Sequence, residues 1–534
     1  MKFRRVIYAV VIILITVFSI GFKNVNENKI TKSMNNEYQH IEEMKEGADP
    51  SLGITDLSDN YEVQKDFVSH LPLVVIDTEE KEIPEAYEFD SQQKRFVLKD
   101  NSINPYISGN ISVIDNDNNV NRLGDEPKVT SAMDIKYRGN SSIHFDKHQY
   151  RIKLLTDDGQ SNKVEMMGMA ADQDWILNIS MIDSSLIRNY MVYNISSQIM
   201  EFTPKAKYCE VIKKEGDKYI YEGLYLMMES IKQGNERVNI DDYNPKENYT
   251  SYLLRRDRYD EEGLMITDTY ALNNNLGYGY LDIRYPSPDE IDQKAYNYIH
   301  NDINNIEKIL YSDDKETFMK YDDYLDEDSF VDYFIINEFF ANYDAGNNST
   351  YMYKNPGGKL KMGPIWDYDN AADNMGQYLL DAKSINFKGQ TWFSELTKSQ
   401  EFCRRLKKRY AELSKTILSI EYVDNFIDDT MEYLGNAKVR DWKRWKEQYT
   451  KKRFDLLEDT NGIVIDRNYD SIDECVQRVK DVLYEHSQYM SKGLQKIEDD
   501  SIFKVGNASH ERLAIIFILT FFASIILIRR RIKN

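Results

Sequence analysis

Cysteine is scarce, with three residues, Cys209, Cys403 and Cys475, in a chain of 534. They show no paired metal-ligand spacing, and an odd count in so long a chain describes no disulfide framework. Each is expected to be a buried small hydrophobe. Surplus positive charge is missing too. The formal net charge is -21 and the isoelectric point is near 5.0, which argues against a nucleic-acid binder, since phosphate-backbone contacts need clustered Lys and Arg. No nucleic acid is expected as a partner. A third absence concerns the first apolar run, Val6 to Phe22, which follows Lys2, Arg4 and Arg5. No small-x-small cleavage site comes after it, so a retained signal anchor is favoured over a cleaved signal peptide.

A second apolar run, Leu513 to Ile528, is followed at once by Arg529, Arg530, Arg531 and Lys533. As helix it reaches about 24 Å, a little short of a hydrocarbon core, and the flanking Arg side chains can snorkel to make up the difference. Basic residues at both extremes place both termini in the cytoplasm and the domain between them outside the cell membrane. The expected organisation is an anchor over residues 1–23, a flexible polar stalk over 24–65, a folded domain over 66–505, a membrane helix over 511–530 and a basic tail over 531–534.

Within the domain, short β-prone runs come first: Leu71 to Asp77, Phe96 to Leu98 and Ile111 to Ile114. Met133 to Tyr137 and Gln149 to Leu155 then flank a loop of Arg138, Gly139, Asn140, Ser141 and Ser142. Such a loop offers backbone N–H and hydroxyl donors to an anion, and Arg138, Lys147 and Lys153 can neutralise phosphate; taken alone, an ordinary β-hairpin with charged residues is the favoured reading. A helix is expected from about Ser184, a hairpin from Tyr208 to Met228 turning at Glu215-Gly216-Asp217, and Glu229 closes its second strand. Helices are expected from about Glu290 to Tyr311, from Ser329 to Phe340, and over much of Trp392 to Lys496.

The chemistry concentrates between Asn337 and Asn374. Thr350 to Lys354 and Lys359 to Met362 are strand-like, and Asn355-Pro356-Gly357-Gly358 is turn punctuation. The chain should run out about 17 Å and return, which brings the pair Asp367/Asp369 back toward Asp344. Converging carboxylates can hold a divalent cation, and one of them can deprotonate a hydroxyl. Solvated acidic turns are the plain alternative.

In order, these pieces resemble the CotH family of atypical, secretory-type kinases: RGNSS (Arg138 to Ser142) with Lys147, YRIKL (Tyr150 to Leu154), DWIL (Asp174 to Leu177), LIRN (Leu186 to Asn189), YEGLYLMMES (Tyr221 to Ser230), NYDAGNNSTYMY (Asn342 to Tyr353) and GPIWDYD (Gly363 to Asp369). The resemblance spans roughly Leu71 to Lys496. It implies an α+β, protein-kinase-like two-lobe fold, β-rich then helical, that binds ATP and Mg²⁺ or Mn²⁺. On that template Asp344 is the catalytic base, and Asp367 is the principal metal ligand with Asp369 in support. Lys153 pairs with phosphate, Arg138 and Asn140 to Ser142 lie over the phosphates, and Glu229 stands where one lobe hands over to the other. The acceptor implied is a Ser or Thr of an envelope or spore-coat protein.

Two positions depart from the family pattern. Ser349 occupies the metal-ligand slot that is Asn in spore-coat members, and Asn370-Ala371-Ala372 replaces a glycine that often follows WDxD. The first departure puts metal stoichiometry in question; the second, the flexibility of that loop. A pseudokinase scaffold is the alternative function. A glycosidase using the same carboxylates leaves the basic strands unexplained.

Overall fold

The computed structural model of the chain describes residues 43–504, apart from 91–94, 101, 140–142, 144, 180, 259–262, 377–378 and 459–461. Both apolar runs lie outside the described residues. Among those described, no helix is long and apolar enough to cross a membrane.

The first part is built on an eight-stranded sheet of β1 (Glu62–Val63), β2 (Leu73–Asp77), β3 (Ile107–Ile114), β4 (Val129–Arg138), β5 (Gln149–Leu155), β6 (Asp174–Asn178), β7 (Ala206–Glu215) and β8 (Lys218–Glu229). The order is β1-β8-β6-β5-β4-β3-β2-β7, and β7 also pairs along β8, so the sheet closes on itself. Alternation along each strand sorts its two faces. On β5, Tyr150, Ile152 and Leu154 are fully buried, while Gln149, Arg151 and Lys153 take the other face. Opposite them on β4 stand Arg138, Lys136 and Asp134.

Between β6 and β7 runs α1 (Arg188–Ser196), buried at eight of its nine positions and so without a solvent face. The Asp183-Ser184-Ser185 signal works as a turn just before it, where the Asp183 carboxylate accepts from the Ser185 hydroxyl and from the Arg188 backbone N–H.

The second part holds a five-stranded sheet of β9 (Tyr252–Asp257), β10 (Met265–Ile266), β11 (Tyr280–Tyr285), β12 (Thr350–Lys354) and β13 (Lys361–Met362). The β12–β13 hairpin forms where expected, pairing Met352 with Met362 and Tyr353 with Lys361. Sequence reading did not foresee that β9 lines the hairpin's other side, with Arg256 opposite Thr350. The second part also holds α2 (Gln293–Leu310), α3 (Glu327–Phe339), α4 (Gln400–Leu413), α5 (Ile420–Tyr449) and α6 (Ile472–Asp500); α3 packs against β13, α4 and α6 pack against α3 and each other, and α5 lies against β8 of the closed sheet. The architecture is therefore mixed α+β, β-rich first and helical later.

Residues 43–65 correct one expectation. Rather than hanging as a stalk, they pack on the domain. β1 adds to the end of β8, Glu43 pairs with Lys207, and the Pro50 carbonyl accepts from the Asn436 N–H. Several apolar residues of the segment are covered as well: Val63 is buried with Leu73 and Tyr221, Leu57 and Tyr61 pack against that cluster, and Met44 packs against the main core. The Pro50 contact also explains a break in α5 at Gly435 (φ 44°), where a Cβ would sit 2.1 Å from the Pro50 oxygen.

Beyond that break, consecutive residues of α5 tie the helical part to the closed sheet. Arg440 pairs with Glu210 of β7 at 2.6 Å, and Asp441 with Lys147 at 2.5 Å, all four side chains fully buried.

Candidate active site

Helix α3 begins at an Asp326 cap that accepts from the Ser329 N–H. Its far end delivers Asn342, whose buried amide donates to the Asp367 carbonyl at 3.2 Å. The turn that follows is braced at several points. Gln390 donates to the Tyr343 carbonyl at 2.8 Å, the Thr391 hydroxyl donates to Asn347 Oδ1 at 2.7 Å, and the Gly346 N–H reaches Thr350 Oγ1 at 2.6 Å. Gly346 has φ 88°, and a Cβ there would meet Gln390 at 2.6 Å. The braced turn presents Asp344, whose Oδ1 accepts from Asn348 Nδ2 at 2.9 Å.

The hairpin then returns the chain to Asp367. Its φ of 65° is a left-handed conformation that Asp tolerates better than most residues. Its N–H donates to the Tyr193 hydroxyl at 3.2 Å, and its Oδ2 accepts from Ser349 Oγ at 3.3 Å. Two consecutive residues thus each hold one carboxylate, Asn348 that of Asp344 and Ser349 that of Asp367. Burial, then the neighbouring charge of Asp369, pushes the Asp367 carboxyl up to about 8, against the pull of Arg138. Burial also raises Asp344, opposed by the Asn348 hydrogen bond and reinforced by the charge of Asp367.

Arg138 comes from the closed sheet. Its guanidinium stacks over Trp366 at 5.0 Å, and its Nη1 donates to Gln149 Oε1 at 2.7 Å. The same oxygen accepts from Asn178 Nδ2 at 3.0 Å. Asn178 Oδ1 accepts from Asn189 at 3.4 Å, and Asn189 Oδ1 accepts the Tyr368 backbone N–H at 2.7 Å. A relay of neutral side chains therefore runs from Arg138 through β5, β6 and α1 to the peptide between Asp367 and Asp369.

The structure therefore brings together Asp344, Asp367, Asp369, Ser349 and Arg138. It does not gather every expected residue there. Lys147 spends all three ammonium donors elsewhere, on Asp441, the Leu224 carbonyl at 3.0 Å and the Tyr449 hydroxyl at 3.1 Å. As arranged here it has none left for a phosphate. Glu229 shares the sheet face of Trp175 and Ile152, opposite to that of Arg138, and pairs with Arg237 at 2.8 Å. Lys153 is on the Arg138 face but four residues along β5 from Gln149, about 13 Å, with its ammonium over the Tyr106 ring at 4.8 Å. Arg151, two residues nearer on the same face, was not singled out, although the alternation of YRIKL contains it. Asp257, at the end of β9, adds its charge to both Asp344 and Asp367, and only the β9–β12 register reveals it. Asn140, Ser141 and Ser142 lie outside the described residues.

The segment after Asp369 is held in place. Ala371 and Ala372 are fully buried, their carbonyls accept from Arg188 at 2.8 and 3.5 Å, and Asn374 donates to the Asp369 carbonyl at 2.6 Å.

Among the described residues, no three Asp, Glu, His or Cys side chains converge as a ready cation site. The donor set nevertheless suits a divalent cation that brings phosphate oxygens with it. Asp369 is a buried carboxylate and Asp367 a half-buried one whose ionisation a bound cation would favour, and Ser349 and Asn348 are neutral oxygen donors, Asn348 Oδ1 being buried with no hydrogen-bond partner among the described residues. Magnesium commonly takes one or two carboxylates plus phosphate oxygens. No curated protein matches the chain. Residues 135–490, which carry the relay, both carboxylates and the two buried ion pairs of α5, match the family described as CotH kinase protein. On that match over most of its length, the chain belongs to the CotH kinase family.

Proposed function

We propose that the chain is an ATP-dependent phosphotransferase that moves the γ-phosphoryl group to a Ser or Thr hydroxyl of an envelope or spore-coat protein. The observation that carries this reading is the coupling of Asp344 and Asp367 through Asn348 and Ser349, with Arg138 joined to the same centre by the amide relay. In the proposed reaction the acceptor oxygen bonds to the γ-phosphorus as the bond to the ADP oxygen breaks, and the hydroxyl proton passes to Asp344. Arg138 and Arg151 neutralise phosphate charge. Asp367, Asp369 and Ser349 would hold Mg²⁺ or Mn²⁺, which supplies further neutralisation of the phosphates when bound. The two apolar termini with their basic flanks support attachment to the cell membrane with the domain outside. A compartment enclosed by two membranes, as in spore formation, would then provide the nucleotide.

The test is phosphate transfer by the full chain in detergent, with ATP and Mg²⁺ or Mn²⁺. Transfer should fall at least about a hundredfold in Asp344→Asn, the scale of a lost general base. Neither nucleotide binding nor transfer by the native chain would sink the proposal. Ser349, a weaker neutral ligand, favours a second reading as a non-catalytic scaffold of the envelope or coat. Nucleotide binding without transfer would support that reading.

A further inference from the structure

A second polar site lies on the other side of the segment that follows Asp369. It is a narrow cleft with about 20 Å³ of free volume, partly open to solvent. Arg188, Arg453 and Arg467 line it, and the exposed Lys451 stands at its rim. Arg478 approaches from beyond, onto Asp373. Among the described residues, Asp183 pairs with Arg188 at 2.5 Å, and Asp373 serves both Arg467, at 3.2 Å, and Arg478.

The Arg453 guanidinium donates to the Met181 carbonyl at 3.4 Å and to the Ser184 hydroxyl at 3.2 Å, and no carboxylate lies within ion-pair distance of it among the described residues. Burial and repulsion from Arg188 both lower its proton affinity. A largely buried cation that shares its nearby counter-charge, Asp183, with Arg188 costs free energy that a bound anion offsets. In a chain of net charge -21, this concentration of guanidinium groups is against the overall trend. Guanidinium donors in a fork match the oxygens of a tetrahedral oxyanion, and the narrow space fits one such ion better than a nucleotide.

We propose that this cavity binds a single phosphate-class oxyanion. The ion would sit against Arg453 and Arg188, with Lys451 covering it. Arg188 also holds the Ala371 and Ala372 carbonyls, and Arg467 holds those of Asp373, at 3.3 Å, and Gly376, at 2.9 Å. Anion binding therefore fastens the segment that leads away from Asp367 and Asp369. This site is built from different residues than the Asp344 centre and does not depend on phosphoryl transfer there.

The experiment is a thermal-melt titration of the full chain with inorganic phosphate, against sodium chloride of equal ionic strength. The expected result is a saturable rise in melting temperature with phosphate that chloride does not reproduce. Arg453→Gln should weaken the apparent affinity by about tenfold or more, the scale of one charged hydrogen bond, while Arg138→Gln leaves it unchanged. No phosphate-specific rise in the native chain overturns the proposal. So does an undiminished affinity in Arg453→Gln, or a response lost in Arg138→Gln instead. Should Arg453→Gln fail to fold, Lys451→Glu at the exposed rim decides: weaker phosphate binding upholds the site, and unchanged binding overturns it.

Discussion

Asn189 Oδ1 accepts the backbone N–H of Tyr368 at 2.7 Å, which places a side chain of α1 on the peptide that separates Asp367 from Asp369. Both residues are buried, so no water can replace the acceptor at low cost. Asn189→Ala should lower unfolding free energy by about 1–3 kcal/mol, the cost of a buried unsatisfied donor. Urea unfolding of the two proteins measures it, and an unchanged midpoint at equal slope would contradict the relay.

Asp367→Asn should act in opposite directions with and without ligand. Alone, the substitution removes a carboxyl whose ionisation is disfavoured in the folded state by burial and by Asp369 and favoured in the unfolded one, so the melting temperature of the ligand-free protein should rise. With Mg²⁺ and ATP added, the native chain should gain stability and the variant should gain little, because the principal ligand is gone. A variant less stable than the native chain under both conditions would show that Asp367 serves the fold and not a cation.

Lys147 and Arg138 should separate cleanly. Lys147→Met leaves Asp441 buried without its partner, and should cost about 3–5 kcal/mol of stability while nucleotide affinity of the folded fraction is retained. Arg138→Gln should do the reverse, weakening nucleotide binding with a smaller loss of stability. Fluorescent-nucleotide binding and urea unfolding of both variants provide the comparison; loss of binding in Lys147→Met alone would restore Lys147 to the phosphate site.

His486 and Glu338 give the fold a dependence on pH. The two side chains meet at 2.9 Å, both fully buried, and Glu338 also accepts the Phe387 N–H at 2.6 Å. Burial opposes the charged imidazole, but the Glu338 carboxylate outweighs it and raises His486 above its ordinary value of 6.5. A raised histidine stabilises the folded state in full below that ordinary value and loses the contribution as pH climbs through the raised one. Unfolding free energy measured upward from about pH 6.5 should therefore decline in the native chain. In His486→Gln the decline over that window should be shallower. Parallel profiles would remove the ion pair as its cause.

The hairpin and its acidic ends were legible because everything that defines them is local: two short β-prone runs, one turn tetrapeptide and the carboxylates beside them. Alternation along β5 likewise assigns its faces, and would have nominated Arg151 with Lys153. Lys147 could not be read. Its partner Asp441 is 294 residues away, and a lysine beside a small-residue loop looks the same whether it meets phosphate or a buried carboxylate. The relay was equally hidden, because Gln149, Asn178 and Asn189 are neutral amides on three separate elements. Residues 43–65 were misjudged for another reason. Polar composition shows that a segment has no core of its own, yet says nothing of whether a neighbouring strand offers it an edge.

Arg440 and Asp441 are successive residues of one helix, so their side chains leave the axis about 100° apart. One turn of α5 therefore grips β7 from one direction and the approach to β5 from another. A single fastening would leave an axis about which two bodies could rotate, and two divergent ones remove it. Rotation of the closed sheet against α5 would have to break both buried ion pairs at once, so the two contacts would part together.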